Sequence, residues 1–216
     1  MSKTALITGA SGLVGSELLK QLLADEDYAK VIALVRTPLE TRHEKLIQKI
    51  VDFETISASM EDIRADHAFC CLGTTIRKAG SQARQYRIDH DYVVCFAKAC
   101  IAAGISKFAV VSSAGAKTKT GNFYLRTKGE MEEELRKVPF EGLYILRPSL
   151  LMGKRKEFRL GELIAKGAMK VINPLLAGGL KRYRGIEASR VASGMIKAVE
   201  GPGGVHIFES DKIQVL

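Results

Sequence analysis

Short runs of apolar residues alternate along the chain with longer segments in which apolar residues recur every three or four positions. Runs of about five apolar residues bounded by polar or turn-forming residues predict buried strands. Six of them come before residue 147, at residues 4–8, 31–35, 47–51, 68–72, 108–112 and 143–146. The neighbours of the run at 47–51 also fit a helix, but its shortness and the alternation of elements favour a strand.

Helical spacing fills the segments between these strands. Residues 13–24 place Val14 and Leu18 on one face, and the segment before the fifth strand directs Val93 and Phe96 inward. Strand–helix alternation with uninterrupted apolar strands is typical of a parallel sheet whose two faces are covered by helices. The predicted fold class is therefore α/β, with a doubly wound parallel sheet.

Composition narrows the class of protein. The 216 residues are 46% apolar and 26% charged, which excludes disorder, collagen and coiled coil. No apolar stretch approaches the roughly 18 residues that span a membrane, so no membrane association is expected. The chain opens without a signal segment, and Cys70, Cys71, Cys95 and Cys100 have neither zinc-ligand nor disulfide spacing. These features predict reduced thiols, no metal site and a cytoplasmic protein.

The first predicted strand runs into the sequence GASGLVG and then into an amphipathic helix. In that context the first glycine permits a tight turn, the second lets the backbone approach a pyrophosphate, and the third lets helix and strand pack closely. The helix N-terminus offers N–H groups and a partial positive charge to phosphates. The segment predicts a dinucleotide site on a Rossmann fold. Its candidate cofactor-binding residues are Gly9, Ser11, Gly12, Leu13, Val14 and Gly15.

The end of the second predicted strand bears on the choice of cofactor. An acid there would accept hydrogen bonds from the ribose 2′-OH of NAD, whereas this chain has Arg36 followed by Thr37 and Pro38. An arginine can pair with a 2′-phosphate, so NADP(H) is favoured over NAD(H).

A second group of polar residues follows the fifth predicted strand. Ser112 and Ser113 end that strand, and Tyr124 and Lys128 lie four residues apart on a predicted helix, hence on one face. A lysine ammonium near a tyrosine favours the phenolate, which makes Tyr124 a candidate general acid toward a carbonyl oxygen. Lys128 can also hold the nicotinamide ribose, and a strand-end serine can orient the carbonyl. The acidic residues at 130 and 132–134 are expected on the solvated face of this helix.

Taken in order, these motifs resemble an atypical short-chain dehydrogenase/reductase. The carriers of the likeness are TGASGLVG, CCLGTT at residues 70–75, VVSSAG at 110–115 and the Tyr–Lys pair. More narrowly, the chain resembles the Tat-interacting-protein-type NAD(P)H-binding oxidoreductases over nearly its whole length. The segments that carry this narrower likeness are VDFE, CCLGTTIRKAG, IDHDYV, SSAGAKTKTGNFYLRTKGEME and ILRPSLLMGKR.

The resemblance implies further cofactor contacts near the adenine, after the fourth strand and beside the nicotinamide carboxamide. In that order they are Asp52 and Phe53; Leu72, Gly73, Thr74 and Thr75; and the backbone of Pro148, Ser149 and Leu150. It also favours Ser113 as the catalytic serine, with Ser112 left open as its rival. Many members of the family place an asparagine on the helix before the fifth strand for a proton relay. This chain has Asp89-His90-Asp91 there, which leaves the proton route open.

The net charge of +9 is concentrated near the end of the chain. Residues 147–190 carry 11 Lys+Arg and 3 Asp+Glu, including the basic run at 154–156. A nucleic-acid partner is disfavoured because the chain contains no known nucleic-acid-binding module. We interpret the segment as a basic cap over the site, which predicts an anionic ligand such as a cofactor phosphate or a charged substrate.

These observations predict a single NAD(P)-binding domain over residues 1–216. Residues 1–150 form the dinucleotide-binding core, 151–204 a small basic substrate-side cap with short helices near 160–170 and 187–199, and 205–209 an edge strand.

The favoured function is an NADP(H)-dependent oxidoreductase that acts on a small carbonyl or alcohol substrate through Ser113, Tyr124 and Lys128. One alternative is a catalytically weak NADP(H)-sensing regulator that acts through a protein partner. Another is an enzyme like the nucleotide-sugar epimerases and dehydratases, although these normally need a larger C-terminal lobe. A homodimer is left open.

Overall fold

The computed structural model describes residues 2–153 and 184–216. The helix predicted near 160–170 and the basic run at 154–156 lie outside the described residues.

Seven of the described strands form one sheet in which every neighbouring pair is parallel. Its order is β3-β2-β1-β4-β5-β6-β9, and β7 pairs with β8 beside it. The strands are β1 (Lys3–Thr8), β2 (Tyr28–Val35), β3 (Leu46–Ile50), β4 (His67–Cys70), β5 (Lys107–Val111), β6 (Gly142–Arg147), β7 (Leu151–Met152), β8 (Ile186–Glu187) and β9 (Gly204–Glu209). The predicted α/β class with a doubly wound parallel sheet is confirmed, and the last strand lies at the predicted edge.

Helices connect the strands, as the apolar spacing predicted. In chain order they are α1 (Leu13–Ala24), α2 (Ile76–Ala79), α3 (Gln82–Tyr86), α4 (Tyr92–Ala102), α5 (Phe123–Arg136), α6 (Ala188–Val199) and α7 (Ser210–Ile213). A 3₁₀ helix covers Phe53–Met60, and a π-helical turn, Arg87–Asp91, joins α3 to α4. The helix predicted near 187–199 is therefore present and begins at Ala188.

Two apolar layers hold the helices against the sheet. Ala5 and Ile7 of β1 face the layer that contains α1 and α6, whereas Leu6 between them faces the layer with the 3₁₀ helix, α4 and α5. All three side chains are fully buried. Because successive strand residues point to opposite faces, an unbroken apolar strand is what a sheet covered on both sides requires.

The strand at 47–51 is also present, shifted by one residue, at the far edge of the sheet. There Ile47 and Ile50 remain 45% and 66% exposed, which explains why its sequence pattern was ambiguous. Among the described helices, none combines the length and apolar character needed to cross a membrane.

Candidate active site

A cavity of about 960 Å³ opens at the carboxyl ends of β1, β4 and β5. The strand order reverses between β1 and β4, and ligands of doubly wound sheets bind in the crevice at such a reversal. The cavity is lined by the glycine-rich turn with the start of α1, the loop after β4 with α2 and α3, the end of β5, the start of α5, and Leu151 of β7.

The glycine-rich turn is packed too closely for side chains. Gly9 has a φ of +75°, and a Cβ on it would lie 2.4 Å from the carbonyl oxygen of Cys71. A Cβ on Gly15 would lie 2.1 Å from the carbonyl oxygen of Gly9. The first and third glycines therefore have the turn-forming and packing roles that the sequence predicted.

The N-terminus of α1 opens onto the cavity next to this turn. Gly12 is the N-cap and offers no side chain, and the first turn of α1 holds no acidic residue. Ser11, Gly12, Leu13 and Val14 all lie on the cavity wall. Unpaired N–H groups and the positive end of the helix dipole attract anions, so this wall fits a phosphate group.

The loop after β4 also lines the cavity, with Leu72, Gly73, Thr74 and Thr75, the four residues that the resemblance implied. Gly73 lies against two buried charged side chains. A Cβ on it would be 3.7 Å from Oδ1 of Asp89 and 3.8 Å from Nζ of Lys128.

Helix α5 brings Tyr124 and Lys128 to the cavity, as their spacing predicted. The helix begins after Asn122, whose side-chain oxygen accepts a hydrogen bond from the N–H of Leu125 at 3.1 Å. Tyr124 is 37% exposed, whereas Lys128 is 3% exposed. Burial lowers the pKa of Lys128, but the charges of Asp89 and, to a lesser extent, Tyr124 outweigh that effect and raise it overall.

The two serines at the end of β5 differ. Ser112 is buried on the cavity wall and donates its hydroxyl proton to Oε1 of Glu132 at 2.5 Å. Ser113 is partly exposed, lies outside the lining of the cavity, and has a long 3.5 Å contact from its hydroxyl to the carbonyl oxygen of Ala114. The hydroxyl of Ser112 is thus engaged, and that of Ser113 is more loosely held.

Glu132 itself lies elsewhere than expected. The prediction that it belongs to the solvated face of α5 is wrong, because it is 1% exposed and pairs with Arg147 of β6. Arg147 donates to both carboxylate oxygens, at 2.9 and 2.6 Å, and to Glu209 at 3.0 Å. The sequence pattern on α5 carried no sign of an arginine on a neighbouring strand.

The residues expected near the ribose 2′-phosphate and the adenine lie at the carboxyl ends of β2 and β3, outside the cavity lining. Arg36 is exposed just after β2, whose Leu34 pairs with Thr8 of β1. Asp52 is exposed and accepts a hydrogen bond from the N–H of Glu54 at 3.0 Å. Phe53 is 5% exposed and packed in the core, so its backbone is the part that can meet a ligand.

Pro148, Ser149 and Leu150 follow β6 and also lie outside the cavity lining. The carbonyl of Pro148 accepts from the N–H of Ala114 at 2.9 Å, and that of Leu150 accepts from the N–H of Ile186 at 3.0 Å. These bonds tie the segment to the loop after β5 and to β8.

Several cavity residues were missed by the sequence reasoning. They are Ser16, Cys71, Ile76, Lys78, Gln82, Gln85, Val111, Asn122, Phe123 and Leu151. The segment CCLGTTIRKAG contains Ile76 and Lys78 and was the available signal. No group of three or more potential metal ligands occurs among the described residues.

Comparisons with known proteins agree with this geometry. A family model described as NAD(P)H-binding matches residues 9–173. The chain is 37% identical to Protein HTATIP2 of Rattus norvegicus over an aligned length of 169 residues, and the alignment covers 76% of this chain and 69% of the relative. It is 32% identical to Protein fmp52, mitochondrial, of Emericella nidulans over an aligned length of 231 residues, gaps included, and this alignment covers 99% of this chain and 98% of the relative.

Solved structures share the fold at low sequence identity. An ADP-L-glycero-D-manno-heptose-6-epimerase of Helicobacter pylori has a TM-score of 0.72 and 18% identity, covering 96% of this chain and 77% of the epimerase. The enzyme WbmH of Bordetella bronchiseptica, in complex with NAD⁺, has a TM-score of 0.74 and 14% identity, covering 97% and 76%.

One expectation is overturned by these comparisons. The prediction of a cytoplasmic protein is wrong, because relatives from Emericella nidulans, Candida glabrata and Aspergillus niger are named as mitochondrial proteins. That prediction was based on the expectation of reduced cysteines, which does not distinguish among reducing compartments.

Proposed function

Because the chain belongs to the NAD(P)H-binding family, as an NAD(P)-binding oxidoreductase of the HTATIP2 type, we propose that it transfers hydride between NADP(H) and a small carbonyl or alcohol substrate. The membership confirms the resemblance found in the sequence. The observation that supports the proposed reaction most is that Tyr124 and Lys128 line the same cavity as the glycine-rich turn.

The residues of the cavity fit a nicotinamide dinucleotide. The N-terminus of α1 would hold the pyrophosphate, since its first-turn N–H groups meet the cavity beside glycines that leave no room for side chains. Lys128, beside Gly73, would hold the nicotinamide ribose. A nicotinamide cofactor bound there would supply or accept the hydride.

Tyr124 is the proposed acid and base. Its hydroxyl passes a proton to the carbonyl oxygen of the substrate as the carbonyl carbon is reduced, and takes it back in the reverse reaction. The phenolate left on Tyr124 is stabilised by the ammonium of Lys128, whose raised pKa keeps it charged at neutral pH. Ser113 would donate to the same carbonyl oxygen, because the proton of Ser112 is engaged by Glu132.

The proposed preference for NADP(H) rests on Arg36. It is exposed at the carboxyl end of β2, two residues beyond the pairing of Leu34 with Thr8. No acidic residue occupies positions 35–38 to receive a ribose 2′-OH. A guanidinium in this place can pair with the 2′-phosphate of NADP.

The basic segment from residue 151 to 204 bears on the kind of substrate that the protein would bind. Its excess of positive charge would favour a carbonyl compound that carries an acidic group. In this proposal, residues 1–150 form the dinucleotide-binding core and residues 151–204 form the substrate-side cap.

The experiment that tests the function is a fluorescence titration with NADPH and NADH, followed by a panel of aldehydes and ketones with and without a carboxylate. We expect saturable binding that is tighter for NADPH, and NADPH oxidation with at least one carbonyl compound. If neither nucleotide binds, the proposed function is wrong.

A second candidate is a nucleotide-sugar epimerase, favoured by the match in fold to the Helicobacter pylori enzyme. An epimerase oxidises and then reduces its substrate at one site, so it shows no net consumption of NADPH. Incubation with nucleotide sugars, with the products resolved by chromatography, separates the two reactions. Isomerised sugar without net NADPH oxidation would favour the epimerase.

A further inference from the structure

Asp89 is a buried acid that the proposed reaction leaves unused. It lies in the π-helical turn Arg87–Asp91 and is 0% exposed. π-Helical turns insert an extra residue into a helix and occur frequently at functional sites. Asp91, two residues later, is partly exposed and contacts His90 at 2.8 Å, so only one acid of the segment Asp89-His90-Asp91 is buried.

Asp89 lies next to residues that line the cavity. Its Oδ1 accepts a hydrogen bond from the N–H of Thr74 at 2.6 Å and lies beside Gly73, as does Nζ of Lys128. Its Oδ2 is buried and has no hydrogen-bond partner among the described residues. Gln85, which is 4% exposed and lines the cavity, donates to the carbonyl of the same Thr74 at 3.4 Å.

An ionised carboxylate in this place needs a counterion. Burial is the main influence on the pKa of Asp89 and raises it overall, although Lys128, the N–H of Thr74 and the side chain of Gln85 act in the opposite direction. Asp89 is in turn the largest of the charges that raise the pKa of Lys128; the other groups facing this ammonium are Tyr124, Cys70 and Glu132. The two side chains are therefore each other's main charged partner.

We propose that Asp89 is a positioning residue for Lys128, a buried counterion that holds the lysine ammonium on the cavity wall beside Gly73. The inference rests on the proposed function, in which Lys128 binds the cofactor ribose and stabilises the Tyr124 phenolate. Asp89 does not touch the ligand in this scheme. It acts through Lys128, which it keeps charged in a place where burial alone would favour the neutral amine.

The test is the pH dependence of NADPH affinity in Asp89→Asn, which keeps an oxygen for the N–H of Thr74 and removes the charge. Asp89 is the first of the charges that raise the pKa of Lys128, so the ammonium should lose its proton at a lower pH in this variant. We expect wild-type affinity to stay constant between pH 7 and 9.5, and affinity of the variant to fall about tenfold or more over this range. Asp91→Asn is the matched control and should behave as wild type.

A uniform loss of affinity in Asp89→Asn at every pH, or an unchanged profile, would overturn the inference, because a merely structural residue gives one of those results. The proposed function would survive both, since wild-type protein still binds NADPH. Failure of the wild-type protein to bind NADPH would reject the proposed function itself.

A second measurement covers the case in which Asp89→Asn does not fold. Lys128→Met leaves the Asp89 carboxylate buried without its counterion and should lower the melting temperature. Adding Asp89→Asn to Lys128→Met removes the second charge and should restore part of the loss. If the double variant melts no higher than Lys128→Met alone, the two residues are not coupled and the inference is wrong.

Discussion

Helix α5 buries two opposite charges one turn apart, and the two are paired in different ways. Glu132 has a complete set of donors: Arg147 bonds both of its oxygens, and Ser112 bonds one of them. Lys128 lines the cavity, and Asp89 is the charged group that raises its pKa most. One oxygen of Asp89 has no hydrogen-bond partner among the described residues.

Glu132 is buried in contacts between elements of the fold, whereas Lys128 is buried at the wall of the candidate active site. The carboxylate of Glu132 ties α5 to β6, and through Arg147 to Glu209 at the end of β9. Lys128, in contrast, lines the cavity. Changes near Glu132 should therefore mainly alter stability, and changes near Lys128 should mainly alter binding and turnover.

The largest expected effect is on the functional side. Tyr124→Phe removes the proposed acid and should lower NADPH-dependent turnover about 10²–10⁴-fold. Because Tyr124 is 37% exposed, the free energy of unfolding should change by no more than about 0.5 kcal/mol. Steady-state rates and urea denaturation check both expectations. Full activity in this variant would show that the tyrosine is not the acid.

On the structural side, Glu132→Ala should lower the free energy of unfolding by about 3 kcal/mol, because it leaves Arg147 and Ser112 without their main partner. Arg147 keeps Glu209, which limits the loss. Glu133→Ala, at an exposed neighbouring position, is the control and should have little effect. Urea denaturation compares the two variants, and equal stabilities would mean that the buried contacts of Glu132 do not stabilise the fold.

A smaller effect is expected at the cofactor-selective position. Arg36→Ala should weaken NADPH binding about tenfold or more and leave NADH binding nearly unchanged, since a hydrogen bond to a charged group contributes about 1.5–3 kcal/mol. Fluorescence titrations with the two nucleotides measure the ratio of the dissociation constants for NADPH and NADH. Arg42→Ala, which changes another exposed arginine before β3, serves as the control. An equal loss of affinity for both nucleotides in Arg36→Ala would remove the support for NADP.

The smallest expected effect is on the pH dependence of stability, and it comes from a buried histidine at the opposite end of the sheet from the cavity. His67, at the start of β4, contacts the hydroxyl of Tyr28 at 2.7 Å, and burial lowers its pKa below the usual 6.5. Its neutral form is favoured in the folded state. Stability is therefore retained above pH 6.5 and falls as the pH drops from there through the folded-state pKa.

For His67 the slope should be at most about 1.4 kcal/mol per pH unit in that window. His67→Gln should flatten the pH dependence of unfolding between pH 7 and 5 relative to wild type. NADPH affinity at neutral pH should be the same in both proteins. An unchanged slope would mean that His67 is not the titrating group.

Much of the fold followed from the sequence because apolar runs report burial directly. Ala5, Leu6 and Ile7 are all buried since β1 lies in the middle of a covered sheet, and the runs at the other strands have the same cause. The glycine-rich turn and the Tyr–Lys spacing were readable because their geometry is local.

The remaining features depend on contacts between segments that are distant in the chain. Glu132 was expected in solvent, and its partner Arg147 lies on a different element. The engagement of Ser112, which bears on the choice between the two serines, depends on the same pair. The π-helical turn that buries Asp89 likewise has no signature in the spacing of apolar residues.

The central claim is that the cavity at the carboxyl ends of β1, β4 and β5 binds the dinucleotide. Hydrogen–deuterium exchange with and without NADPH tests it most directly, because it locates the ligand along the chain. The prediction is slower exchange at residues 9–16 and 72–78, with no change around Tyr28 and His67 at the other end of the sheet. Protection absent from both cavity segments, under conditions where NADPH is bound, would contradict the claim.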